Sequence, residues 1–133
     1  MCRVRDLLKQ AEAQGSNAWW YLFTATPLYS VNMGEIATMG AFHGAEVPFV
    51  FGDGFELMSE GERTLSKRMG CYWTNFAATG DPNRGNDGCV AALQLPPWPT
   101  LGDQLAAVVF SNTSVATTTG LKQQQCDLFA QFP

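Results

Sequence analysis

Residues 59–82, "SEGERTLSKRMGCYWTNFAATGDP", limit what this chain can become more than any other stretch. Ser59 and Glu62 have the spacing of a capping box, in which each side chain satisfies an exposed backbone N–H at a helix start. Leu65, Met69, Tyr72, Trp73 and Phe76 then recur at i, i+4, i+7, i+8 and i+11, one apolar stripe along a helix over 60–79. Gly80 followed by Pro82 ends it, because glycine accepts the left-handed exit and proline cannot continue the ladder. A stripe of this width has to be covered by another layer of structure.

The remaining segments offer few strands to cover it with. Residues 3–14 read as a helix with Val4, Leu7, Leu8 and Ala11 on one face and Gly15 as its stop. "WWYLF" (19–23) has the character of a short buried strand. Pro27, Asn32, Gly34 and Gly40 mark 25–40 as loop. Residues 44–51 fit either a short helix or a strand, with Pro48 opposing a central strand. Residues 83–99 read as a loop ending in "PPWP", "LAAVVF" (105–110) as a strand and "SVATT" (114–118) as a second. "GLKQQQCDLFAQF" closes the chain as a helix presenting Leu121, Leu128, Phe129 and Phe132 on one face. The pattern is α/β, with too few strands to close a sheet unaided.

Composition narrows the function classes. Of the 133 residues 46% are apolar and only 15% charged, a lower charge than a small self-contained domain usually carries. A piece of a larger fold, with some of its surface meant to be covered, has this balance. The net charge is −4 and no basic cluster is present, which opposes nucleic acid as a partner. No apolar run approaches membrane-spanning length. Arg3, Arg5 and Asp6 stand where a signal peptide needs an apolar core, so any such signal is expected upstream of Met1.

The residues that could carry chemistry are few. His43 is the one histidine, in "AFHGAEVPFVFG" (41–52). A catalytic histidine needs a nucleophile and an orienting carboxylate, and the chain has no G-x-S-x-G elbow. Cys71 lies inside the apolar helix, where burial raises a thiol pKa and makes it inert. Glu46, three residues after His43, reads as a supporting group that orients the imidazole or binds loop backbone. The four cysteines permit three complete disulfide pairings; they form no CxxC motif and one histidine adds little, so no metal site is expected, and no cofactor is expected. "DPNRGNDG" (81–88) fails as a calcium loop, having Asn86 and Ala92 where glycine and glutamate are required. Asn112-Thr113-Ser114 is an N-glycosylation triplet in a turn between strands.

Taken together, five stretches resemble the type-B carboxylesterases, a family that includes carboxylesterases, cholinesterases and cholinesterase-like lipases. "FHGAEVPFVFG" resembles the family's histidine motif. "MCRVRDLLKQAEAQGSNAWWYLF" is similar to the helix and strand before it, "YWTNFAATGDPN" to a characteristic helix end, "PPWPTL" to a tryptophan–proline turn and "GLKQQQCDLF" to the last helix. They follow the family's order from Cys2 to Phe132.

The resemblance implies an α/β-hydrolase fold, of which residues 1–133 would form a C-terminal segment of a single domain. His43 would be the triad histidine acting as general acid and base, with Gly44 and Glu46 in support. The serine, the acidic residue and the oxyanion loop are expected before Met1, so the chain alone is expected to be inactive. The resemblance pairs Cys2 with Cys126, leaves Cys71 and Cys89 unassigned, and implies a small-molecule or lipid ester as substrate and a secretory location. A non-catalytic adhesion or receptor ectodomain of the same lineage is the alternative; an upstream G-x-S-x-G would exclude it. An independent small binding domain is a second, distinguished by cooperative unfolding of the isolated chain.

Overall fold

A computed structural model describes residues 1–27, 40–54, 56, 58–85 and 88–132. The predicted loop 25–40 is therefore described only at its ends, and Asn86 lies outside the described residues. In chain order the elements are α1 (Cys2–Ala13), β1 (Tyr21–Phe23), α2 (Val47–Phe51), α3 (Glu60–Thr79), α4 (Cys89–Ala92), β2 (Ala107–Phe110), β3 (Val115–Thr118) and α5 (Gln123–Phe129). The strands form one three-stranded sheet in the order β1–β2–β3. This is the helix-and-small-sheet content expected of part of an α/β fold. The segment left open between helix and strand is helical, with Pro48 in the first turn, where its missing N–H costs nothing.

The chain divides into two units. The first comprises residues 1–22, 98–108 and 117–133. Its core is Ala18, Trp20, Leu101, Leu105 and Ala107, with Leu8 and Leu121 packed against it. Trp98 is buried, donates its indole N–H to the Trp20 carbonyl at 3.0 Å, and meets Tyr21 edge-on at 6.1 Å. The indole thus fills apolar space without leaving a donor unpaired. The predicted strand at 105–110 begins only at Ala107, because Leu105 has φ +50° and turns the chain before the ladder starts.

The packed face of α1 differs from the one its apolar spacing predicts. Val4 and Leu7 are exposed, whereas Arg5 is buried. The engaged residues are Cys2, Arg5, Leu8 and Glu12, spaced three, three and four apart, and each has a partner. Cys2 is disulfide-bonded to Cys126, with Cα atoms 5.2 Å apart. Arg5 Nη1 donates to Asp127 at 2.7 Å and its Nε to Asp6 at 3.2 Å. Leu8 joins the core, and Glu12 accepts from the Gly102 N–H at 3.1 Å. One covalent bond and one ion pair to α5 set the rotation of the helix, and Val4 and Leu7 follow that register outward. On α5 itself Cys126 is buried, while Leu128 and Phe129, and Phe132 beyond the helix, are exposed.

The second unit comprises residues 23–97 and 109–116 and is built on α3. The capping box forms as read: the Ser59 N–H donates to Glu62 Oε2 at 2.9 Å, and the Glu62 N–H to Ser59 Oγ at 3.3 Å. Leu65, Met69 and Tyr72 are buried along the stripe, and Phe76 at its end is exposed. Phe110 stands against Tyr72 and Trp73, with ring centroids 6.1 and 5.9 Å apart. The Tyr72 hydroxyl donates to the Pro96 carbonyl, and Cys71 is disulfide-bonded to Cys89. Asn75, buried one turn further along α3, donates to the Pro82 carbonyl at 3.1 Å. Gly85 lies so close to it that a Cβ there would collide with the Asn75 carboxamide. Helix, disulfide and carboxamide together hold the returning loop, of which α4 is the ordered turn.

Candidate active site at the His43 turn

His43 lies in a tight turn that leads into α2. Gly40 and Gly44 bracket it with φ of +62° and +84°, values that disfavour any residue with a Cβ. The turn is closed by backbone bonds from the Phe42 N–H to the Gly40 carbonyl at 3.1 Å and from the Ala45 N–H to the Phe42 carbonyl at 3.1 Å. The Val47 N–H donates to the Gly44 carbonyl at 3.2 Å and carries the chain into the helix. Ala45 is buried and anchors the turn, while the His43 side chain is exposed.

Glu46 is the N-cap residue of α2 and does not lie within the helix. His43 precedes that cap, so the two residues do not share a helical face. Glu46 is half-buried, and its carbonyl accepts from the Val50 N–H at 3.0 Å.

The helix after the turn is fixed to α3 by polar and apolar contacts. Phe49 is fully buried, its ring lies 5.3 Å from Phe23, and its carbonyl accepts from Ser66 Oγ at 2.8 Å. Gly52, with φ +66°, ends the helix. Ser66 is the residue that sequence reasoning passed over: a buried hydroxyl facing a carbonyl 17 positions away leaves no trace in the periodicity. The result is an exposed imidazole on a short backbone turn, tied through α2 to the longest helix. Such a group can exchange protons with whatever faces it.

No serine nucleophile or triad carboxylate is brought to His43 among the described residues. No group of histidines, cysteines and carboxylates placed to hold a metal ion occurs among them either. The four cysteines are all used as the pairs Cys2–Cys126 and Cys71–Cys89. Cys71 is therefore no free thiol, which removes it as a nucleophile on firmer ground than burial. Its pairing had no sequence signal, because Cys89 opens the short helix α4 beyond a turn-rich segment whose return to α3 only the fold decides. Asn112 lies in the turn 111–114 between β2 and β3 and is exposed.

A model of the carboxylesterase family matches residues 1–129. Acetylcholinesterase of Electrophorus electricus is 40% identical over 98 residues, which is 71% of this chain and 15% of that protein. Carboxylesterase 5A of Mus musculus is 32% identical over 123 residues, 86% of this chain and 20% of that protein. Bile salt-activated lipase of Bos taurus is 39% identical over 83 residues, 58% of this chain and 13% of that protein. The matched region thus spans 13–20% of the length of these curated relatives.

Proposed function

The chain belongs to the carboxylesterase family, and from that membership we propose that it supplies the general acid–base histidine of a carboxylic ester hydrolase. The observation that carries this is the His43 turn: an exposed imidazole between two left-handed glycines, fastened through α2 to α3. In the proposed reaction His43 takes the proton of a serine hydroxyl as its oxygen attacks the ester carbonyl. It returns that proton to the departing alcohol, then activates water to release the acid. Gly44 gives the turn its curvature and Glu46 supports the loop at the entry to α2. The serine, its acidic partner and the oxyanion donors are assigned to polypeptide outside residues 1–133. Substrates are esters of small molecules or lipids, and no cofactor takes part.

We also propose a secretory location, supported by two disulfides, which are common in oxidising compartments and rare in reducing ones. Hydrolysis of p-nitrophenyl acetate tests the catalytic reading. His43→Gln in the full-length protein should lower kcat by roughly four to six orders of magnitude with the fold intact. Residues 1–133 alone should hydrolyse nothing above background. A full-length His43→Gln variant retaining wild-type turnover would remove His43 from the mechanism.

A further inference from the structure

Asn112-Thr113-Ser114 is the one Asn-x-Ser/Thr triplet in the chain. All three residues are exposed in the turn that joins β2 to β3. The turn holds its own shape: the Ser111 N–H donates to the Ser114 carbonyl at 2.9 Å, and the Ser114 N–H donates to Ser111 Oγ at 3.1 Å. The Asn112 carboxamide contributes nothing to that closure. It faces Thr26 instead, accepting from the Thr26 N–H at 2.9 Å through Oδ1 and donating from Nδ2 to the Thr26 carbonyl at 2.9 Å. Beside it opens a groove of about 340 Å³ lined by Glu60, Thr64 and Arg68 of α3 and by the turn itself. Its carboxylate, hydroxyl and guanidinium groups suit sugar hydroxyls.

We propose that Asn112 is N-glycosylated and that its first sugar occupies this groove. The inference rests on the secretory location argued above. The donor is a lipid diphosphate-linked oligosaccharide. A bond forms between Nδ2 and the anomeric carbon as the bond from that carbon to the diphosphate oxygen breaks. The diphosphate leaves with the electron pair, and one Nδ2 proton passes to base.

The amide geometry adds a consequence. A substituted carboxamide is a secondary amide and prefers the trans form, which places the sugar carbon on the same side as Oδ1. That is the side on which the two-point pairing with Thr26 uses its Nδ2 hydrogen. The remaining hydrogen points away, so the modified side chain gives up its donation to the Thr26 carbonyl and turns toward the groove. The triplet and the Thr26 pairing are alternative uses of one carboxamide.

The test uses the full-length protein expressed in a eukaryotic cell from its complete transcript, with peptide mapping before and after peptide N-glycosidase. The expected result is a glycan on the Asn112 peptide and conversion of Asn112 to Asp on release. Ser114→Ala should abolish occupancy while keeping the carboxamide, and should slow exchange of the Thr26 amide hydrogen relative to the glycosylated protein. Both disulfides formed with Asn112 unmodified would overturn the assignment while leaving the secretory reading standing. Free thiols at all four cysteines would overturn both.

Discussion

Tyr72 offers a measurement in which the sign and the size of an effect both follow from one buried phenol. Its ring is wholly buried, edge-on to Phe110, and its hydroxyl donates to the Pro96 carbonyl. Burial pushes its pKa up from 10.0 to about 12, against a downward pull from the positive charge of Arg68. Between those two values the unfolded chain has released the proton and the folded chain still holds it. Folding is then linked to proton uptake, so the stability is fully present below pH 10 and is lost as pH rises through 12. Two pH units correspond to roughly 2.7 kcal/mol at the alkaline limit. Tyr72→Phe should cost about 1–3 kcal/mol at neutral pH, because the Pro96 carbonyl loses its donor. Above pH 10 the gap between the two proteins should narrow, since the variant has no phenol to ionise there. The assay is the urea midpoint of both proteins from pH 8 to 12, with phenolate absorbance followed in parallel. Parallel stability curves across that range, or a native phenol at position 72 titrating near pH 10, would refute the reasoning.

Other expectations follow from the two disulfides and the helix cap. Replacing Cys71 and Cys89 by serine opens a loop of 18 residues and should cost about 3 kcal/mol in the chain-entropy account; the 124-residue loop of Cys2 and Cys126 should cost about 5 kcal/mol. Non-reducing peptide maps of the protein produced in an oxidising compartment should recover these two pairs and no others. Ser59→Ala should cost about 1 kcal/mol, read as a lower thermal midpoint, because it removes one of the two bonds of the capping box. Asp127→Ala removes the 2.7 Å partner of the buried Arg5 and should destabilise by about 1 kcal/mol, since the Asp127 carboxylate is itself half exposed and screened by water, whereas Asp127→Asn, which keeps an acceptor, should cost less.

Short-range chemistry was legible in the residues themselves. The helix over 60–79, its Ser59–Glu62 box and its stop at Gly80 stand where the pattern puts them, because capping and left-handed exits are settled by a few neighbouring residues. The stripe through Leu65, Met69 and Tyr72 is buried for the same reason: a period of 3.6 along one helix needs no knowledge of what lies opposite. Family membership was also readable, since five motifs in fixed order form a one-dimensional signal. Contacts between distant residues were not. Which face of α1 packs is decided by Cys126 and Asp127, more than a hundred residues away, and they turn Arg5 inward and Val4 and Leu7 outward against the apolar spacing. The pairing of Cys71 with Cys89, the seat of α2 on Ser66, and the two bonds from Asn112 to Thr26 are likewise products of chain return. A residue's own identity dictates its local geometry; its partner is chosen by the fold that brings two remote stretches within bonding distance.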